Sequence, residues 1–138
     1  METQTKTPVQ IIQELIAVHT SRIELVQKCE GKSLVPDVAG KLASARQQSE
    51  TYTAALLSEL SEFGDAVMAS VDNQNEYQVM YKNALGQLDA MTPREAEQTF
   101  LSLEEALKNI YRAMLQTGSE LPASLQELVS KQAKELEG

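Results

Sequence analysis

The sequence predicts an all-α protein, an antiparallel four-helix bundle, on the strength of two observations. Along four long segments the apolar residues recur at steps of three and four, a spacing that places them on one face of an α-helix. Aromatic residues make up only 4% of the chain, and a shortage of aromatic and β-branched residues argues against a sheet. Helices that each have one apolar face bury those faces against one another, so the four segments are expected to pack together.

The first helix is predicted over residues 8–30, behind a polar and flexible N-terminus at residues 1–7. Pro8 suits the first position of a helix, and Gly31 ends this one. The second helix is predicted over residues 36–63, antiparallel to the first because the connection between them is short. The apolar stripes of these segments are Ile12, Leu15, Ile16, His19, Ile23 and Val26, and then Val38, Leu42, Ala45, Ser49, Tyr52, Leu56, Leu60 and Phe63.

Residues 64–92 are predicted to be a long crossover that contains a helix of its own. Turn-forming residues dominate its first part. A weaker apolar stripe follows them, formed by Tyr77, Met80, Tyr81, Ala84, Leu85 and Leu88.

The last two helices are predicted over residues 93–117 and 122–137. The first of them begins on a capping box, in which Thr92 and Glu95 satisfy each other's backbone N–H groups. Their stripes are Ala96, Phe100, Leu103, Leu107, Ile110 and Met114, and then Leu125, Leu128, Val129, Gln132 and Leu136. Two antiparallel hairpins joined by one long crossover are the ferritin-like way of connecting a four-helix bundle, and residues 1–138 are predicted to form one domain.

The composition excludes several kinds of partner. The formal net charge is -8 at pH 7, and no cluster of Lys or Arg interrupts it. Such a surface repels nucleic acid phosphates and anionic lipids, so neither a nucleic acid nor a membrane is expected as a partner. The simplest interpretation of this negative charge is that it keeps the protein in solution. The charge is also compatible with a basic protein partner. A single cysteine and the lack of a signal-peptide core or membrane-length apolar run predict a cytoplasmic protein.

Counting excludes the complete di-metal site of ferritin-like bundles. That site needs a Glu-x-x-His motif on each of two helices, and this chain has no such motif and only one histidine. Partial candidates for a metal site are Glu24 and Glu104, which flank the apolar stripes. The alternative interpretation is that both are solvated carboxylates beside the core, and no cofactor is expected.

His19 and Cys29 are the other residues with reactive side chains. A metal ligand or a phosphorylated histidine would be the functional interpretations of His19. The run His-Thr-Ser-Arg lacks the lysine and small residues of a phosphotransfer site, so a half-buried histidine with one polar partner is favoured. Cys29 has no histidine at helical spacing, and no serine has a base partner, so the chain is predicted not to be an enzyme.

Short stretches that occur in order along the chain are Arg22-Ile23-Glu24, Glu104-Glu105-Ala106, Tyr111-Arg112, Leu121-Pro122-Ala123 and Lys131-Gln132-Ala133-Lys134-Glu135-Leu136. In that order and spacing the chain resembles, over nearly its whole length, a bacterial family of ferritin-like four-helix-bundle proteins of unknown function. The resemblance implies a bundle without a settled activity, in which acidic residues are often kept at the positions of Glu24 and Glu104. Gln27 and Leu101 stand where similar proteins tend to carry further acids. The sequence also stops at Gly138, about where a histidine often follows in similar chains. These departures weigh against metal binding.

Three functions are compatible with these observations. The leading prediction is a non-catalytic structural or protein-interaction module, associated with stress by family analogy alone. The rival is a degenerate ferritin-like metal-binding protein that uses Glu24 and Glu104. A helical chaperone for an export or assembly system is a third interpretation, based on small size and acidity.

Self-association is predicted as one of two ways to cover an apolar end of the bundle. The last predicted helix is roughly 24 Å long, whereas its neighbours reach about 34–40 Å. Val26, Val38 and Phe100 are therefore expected to be left partly open. The crossover helix, through Leu85 and Leu88, or a second copy of the chain in a homodimer would have to cover them.

Overall fold

A computed structural model of the chain describes residues 8–31, 36–62, 76–117 and 121–137. Those residues form five α-helices and one turn of 3₁₀-helix, and they include no β-strand. The elements are α1 (Pro8–Glu30), α2 (Pro36–Ser61), α3 (Glu76–Gln87), a 3₁₀ turn (Leu88–Ala90), α4 (Pro93–Thr117) and α5 (Ala123–Glu137). The prediction of an all-α protein is confirmed.

The helix boundaries lie close to those predicted from the sequence. α2 ends at Ser61, two residues before the predicted end at Phe63, which is outside the described residues. The crossover contains a helix, α3, as its weaker stripe predicted. The predicted flexible segment at residues 1–7 also lies outside the described part of the chain.

A capping box begins α4, as predicted. The backbone N–H of Thr92 donates to Glu95 Oε1 at 2.9 Å, and the backbone N–H of Glu95 donates to Thr92 Oγ1 at 3.1 Å. The first turn of a helix leaves backbone donors unpaired, and this reciprocal pair satisfies two of them. The start of α4 is therefore encoded locally, within four residues.

The centre of the molecule is α1, which contacts α2, α3 and α4. A helix enclosed by three neighbours has little surface left for solvent, and side chains beyond its predicted stripe are buried as a result. The buried apolar residues of α1 are Ile11, Ile12, Leu15, Ile16, Ala17, Val18, Leu25, Val26 and Cys29.

Contacts between side chains give the relative directions of the long helices. In each pair of helices the contacts occur in opposite chain order, which shows that α1 is antiparallel to α2 and to α4, and that α2 is antiparallel to α5. The contacts are Glu30 with Arg46 and His19 with Ser49 between α1 and α2, His19 with Tyr111 and Arg22 with Glu104 between α1 and α4, and Glu59 with Ser124 and Tyr52 with Glu135 between α2 and α5. It follows that α2 and α4 run in the same direction.

The apolar end that the sequence predicted to be partly open is closed within the single chain. Val26, Val38 and Phe100 are no more than 4% exposed. Leu88, at the end of the crossover, is fully buried in the same core, and Leu85 packs against it. The side chains are therefore not left open, and the crossover, one of the two predicted covers, contributes to the core that buries them. A homodimer stays a prediction, but it is no longer needed to cover these side chains.

None of the described helices is long and apolar enough to cross a membrane.

The burial pattern of α2 predicts a large difference between two substitutions on opposite faces. Leu56 is fully buried and Glu50 is exposed. Leu56→Ala would leave a cavity in the core and should lower the free energy of unfolding by about 2–5 kcal/mol. Glu50→Ala should change it by less than about 0.5 kcal/mol. Denaturant unfolding of both variants measures the difference, and equal losses would contradict the assignment of the buried face.

Candidate functional site

A cluster of polar side chains lies inside the apolar core, and helices α1, α2, α4 and α5 contribute to it. A buried polar group is costly unless it is hydrogen-bonded, so a cluster of this kind has to satisfy its own donors and acceptors. The members that are at most 5% exposed are His19 and Arg22 from α1, Ser49 and Tyr52 from α2, Tyr111 from α4 and Gln132 from α5.

Helical spacing brings these residues together on the inner faces. Residues three, four or seven positions apart share one face of a helix. The spacing holds for His19 with Arg22, Ser49 with Tyr52, Glu104 with Tyr111, and Gln132 with Glu135. Each helix therefore supplies two polar groups on one of its faces to the network.

Arg22 is the charged centre of this polar network. Its guanidinium donates two hydrogen bonds to the Glu104 carboxylate, from Nε to Oε2 at 2.9 Å and from Nη2 to Oε1 at 2.6 Å. Its Nη1 donates to Ser49 Oγ at 2.9 Å and to Gln48 Oε1 at 3.0 Å. The side chain is 2% exposed and that of Glu104 is 24% exposed. A buried cation is tolerable only with such bidentate pairing and further acceptors.

A chain of neutral hydrogen bonds continues from Ser49 through His19 to α5. Tyr111 donates its hydroxyl proton to Gln132 Oε1 at 2.6 Å. His19 Nε2, 2.7 Å from the Tyr111 oxygen, therefore carries the imidazole proton and donates it. His19 Nδ1 then accepts from Ser49 Oγ at 2.8 Å, and Ser49 in turn accepts from Arg22. The hydrogen bonds of this chain are therefore all donated in one direction, from Arg22 towards Gln132.

Burial keeps the uncharged members of the network neutral. Desolvation, followed by the positive charge of Arg22, lowers the pKa of His19 to about 3. Desolvation also raises the pKa of Tyr111 above the ordinary value for tyrosine. At neutral pH the network therefore consists of the Arg22–Glu104 ion pair and an uncharged chain of donors and acceptors beside it.

Tyr52 connects the network to the last helix by a second route. Its hydroxyl donates to Glu135 Oε1 at 2.8 Å and accepts from Gln48 Nε2 at 3.3 Å. Its ring lies edge-on to the His19 ring, with centroids 5.5 Å apart. Gln132 Nε2 is buried without a hydrogen-bond partner among the described residues, so the network ends there with one unsatisfied donor.

The structure places the two predicted metal-site residues in different surroundings. Glu24 is exposed on α1, whereas the Glu104 carboxylate is engaged by Arg22. Within the described residues, no group of three or more His, Cys, Asp and Glu side chains is arranged to hold a metal ion. Metal binding through Glu24 and Glu104 stays a prediction.

The predicted environment of His19 is wrong in two respects. The sequence indicated a half-buried ring with one polar partner, but the ring is fully buried and has a partner at each nitrogen. The reason is that α3 and α4 enclose α1 together with α2, which the stripe of a single helix does not reveal. Cys29 is buried in the apolar core, apart from this network.

Four members of the network were not predicted as interior polar groups. Arg22 and Tyr111 gave no local signal that distinguished them from surface residues. Ser49 and Gln132 did, because both are polar residues at positions of the predicted apolar stripes. A polar side chain at a core position indicates a partner from another helix.

Comparisons of the chain with protein-family models, with curated proteins and with solved structures gave no match. The interpretation of the network therefore depends on its own geometry.

The ion pair predicts strong coupling between its two members. Glu104→Leu would leave the Arg22 cation buried without a counter-ion and should lower the free energy of unfolding by about 3–5 kcal/mol. The double variant Arg22→Met/Glu104→Leu should lose less than the sum of the two single variants, because it removes both charges. Glu105→Leu, at the exposed neighbouring position, is the control and should change stability by less than about 0.5 kcal/mol. Additive losses in a double-mutant cycle would contradict the pairing.

The lowered pKa of His19 predicts that stability falls in mild acid. Below the ordinary histidine pKa of 6.5 the unfolded chain binds a proton that the folded chain binds only near pH 3. The contribution of the neutral His19 ring to the free energy of unfolding is therefore fully present above pH 6.5. It is lost as the pH falls, by about 1.4 kcal/mol for each pH unit. Urea unfolding between about pH 6.5 and pH 5 measures the slope before most carboxylates titrate. His19→Gln should lack it, and a variant with the wild-type slope would contradict the assignment.

Proposed function

We propose that the chain is a non-catalytic, ferritin-like four-helix bundle with a structural or protein-interaction role. The helices of this bundle are α1, α2, α4 and α5. Support comes from their directions, because α2 and α4 both run antiparallel to α1 and residues 62–92 must lead from the end of one to the distant start of the other. One long crossover between parallel helices is the connection of ferritin-like bundles.

The observation that carries this proposal is the pairing of Arg22 with Glu104 in the interior. Both carboxylate oxygens of Glu104 accept hydrogen bonds from the guanidinium. In ferritin-like metal proteins, inward carboxylates and histidines are the ligands of the metal ions. Here a guanidinium occupies the carboxylate, and the single imidazole uses its proton and its lone pair on Tyr111 and Ser49.

A network with these properties acts on the packing of the helices rather than on a substrate. Apart from the bond between Gln48 and Tyr52 within α2, the hydrogen bonds described above join side chains from different helices, so a shift of one helix along another would break several of them. Buried polar networks of this kind favour one packing over competing ones. A bundle held in one arrangement presents a constant outer surface, which is what a structural or interaction role requires.

A metal-binding role would have to release Glu104 from Arg22. Doing so would leave the guanidinium buried and unpaired, an arrangement that costs several kcal/mol by analogy with other buried ion pairs. The proposal therefore assigns no metal to Glu24 or Glu104. The association with stress, the export or assembly chaperone and the cytoplasmic location remain predictions from the sequence.

Iron binding tests the proposal directly. Purified protein mixed with ferrous iron should hold well below one iron per chain and should not accelerate iron oxidation, because Glu104 and His19 are already hydrogen-bonded to other side chains. Elemental analysis after desalting measures the first property, and oxygen consumption measures the second. A content of about two irons per chain, the number held by di-metal bundles, would overturn the proposal.

A further inference from the structure

We draw no further inference here: the strongest candidate, the groove of about 620 Å³ between α2 and α4 beside the Arg22–Glu104 pair, carries none because nothing in the structure shows what covers it.

Discussion

The arrangement of the interior depends on the burial of one positive charge, that of Arg22. A guanidinium that is 2% exposed has given up its hydration and must recover the lost interactions from fixed acceptors. It does so on two other helices, through Glu104 of α4 and through Ser49 and Gln48 of α2. Because α1 supplies the donor and its neighbours supply the acceptors, this one side chain relates three helices to one another.

The uncharged part of the network connects these three helices to α5. Ser49 accepts from Arg22 and donates to His19 Nδ1, so the imidazole proton is on Nε2. His19 Nε2 then donates to Tyr111, which donates to Gln132. The same cation adds to the effect of burial on the pKa of His19, so the ring stays neutral and can both donate and accept. A charged ring would have two donors and no acceptor for Ser49. The neutrality of the histidine and the geometry of the network are therefore two consequences of one placement.

The Arg22–Glu104 pair lies at the edge of the interior network. Glu104 is about one-quarter exposed, and it faces the space that the short α5 leaves between α2 and α4. The carboxylate that pairs with the buried guanidinium is thus partly accessible to solvent.

The helices could be predicted from the sequence because their signals are local. The stripe from Val38 to Leu60 and the capping box of Thr92 and Glu95 each depend on residues a few positions apart, and both are present in the structure. The ion pair could not be predicted, since Arg22 and Glu104 are 82 positions apart and each looks like a surface residue on its own helix. Burial of the α1 residues beyond its predicted stripe likewise depends on α2, α3 and α4 meeting around it. Periodicity and capping, which act over one or two turns, thus determined the helices of this protein from its sequence. The polar network and the neutral state of His19 were decided by which helices lie side by side, because that arrangement exists only in the packed core.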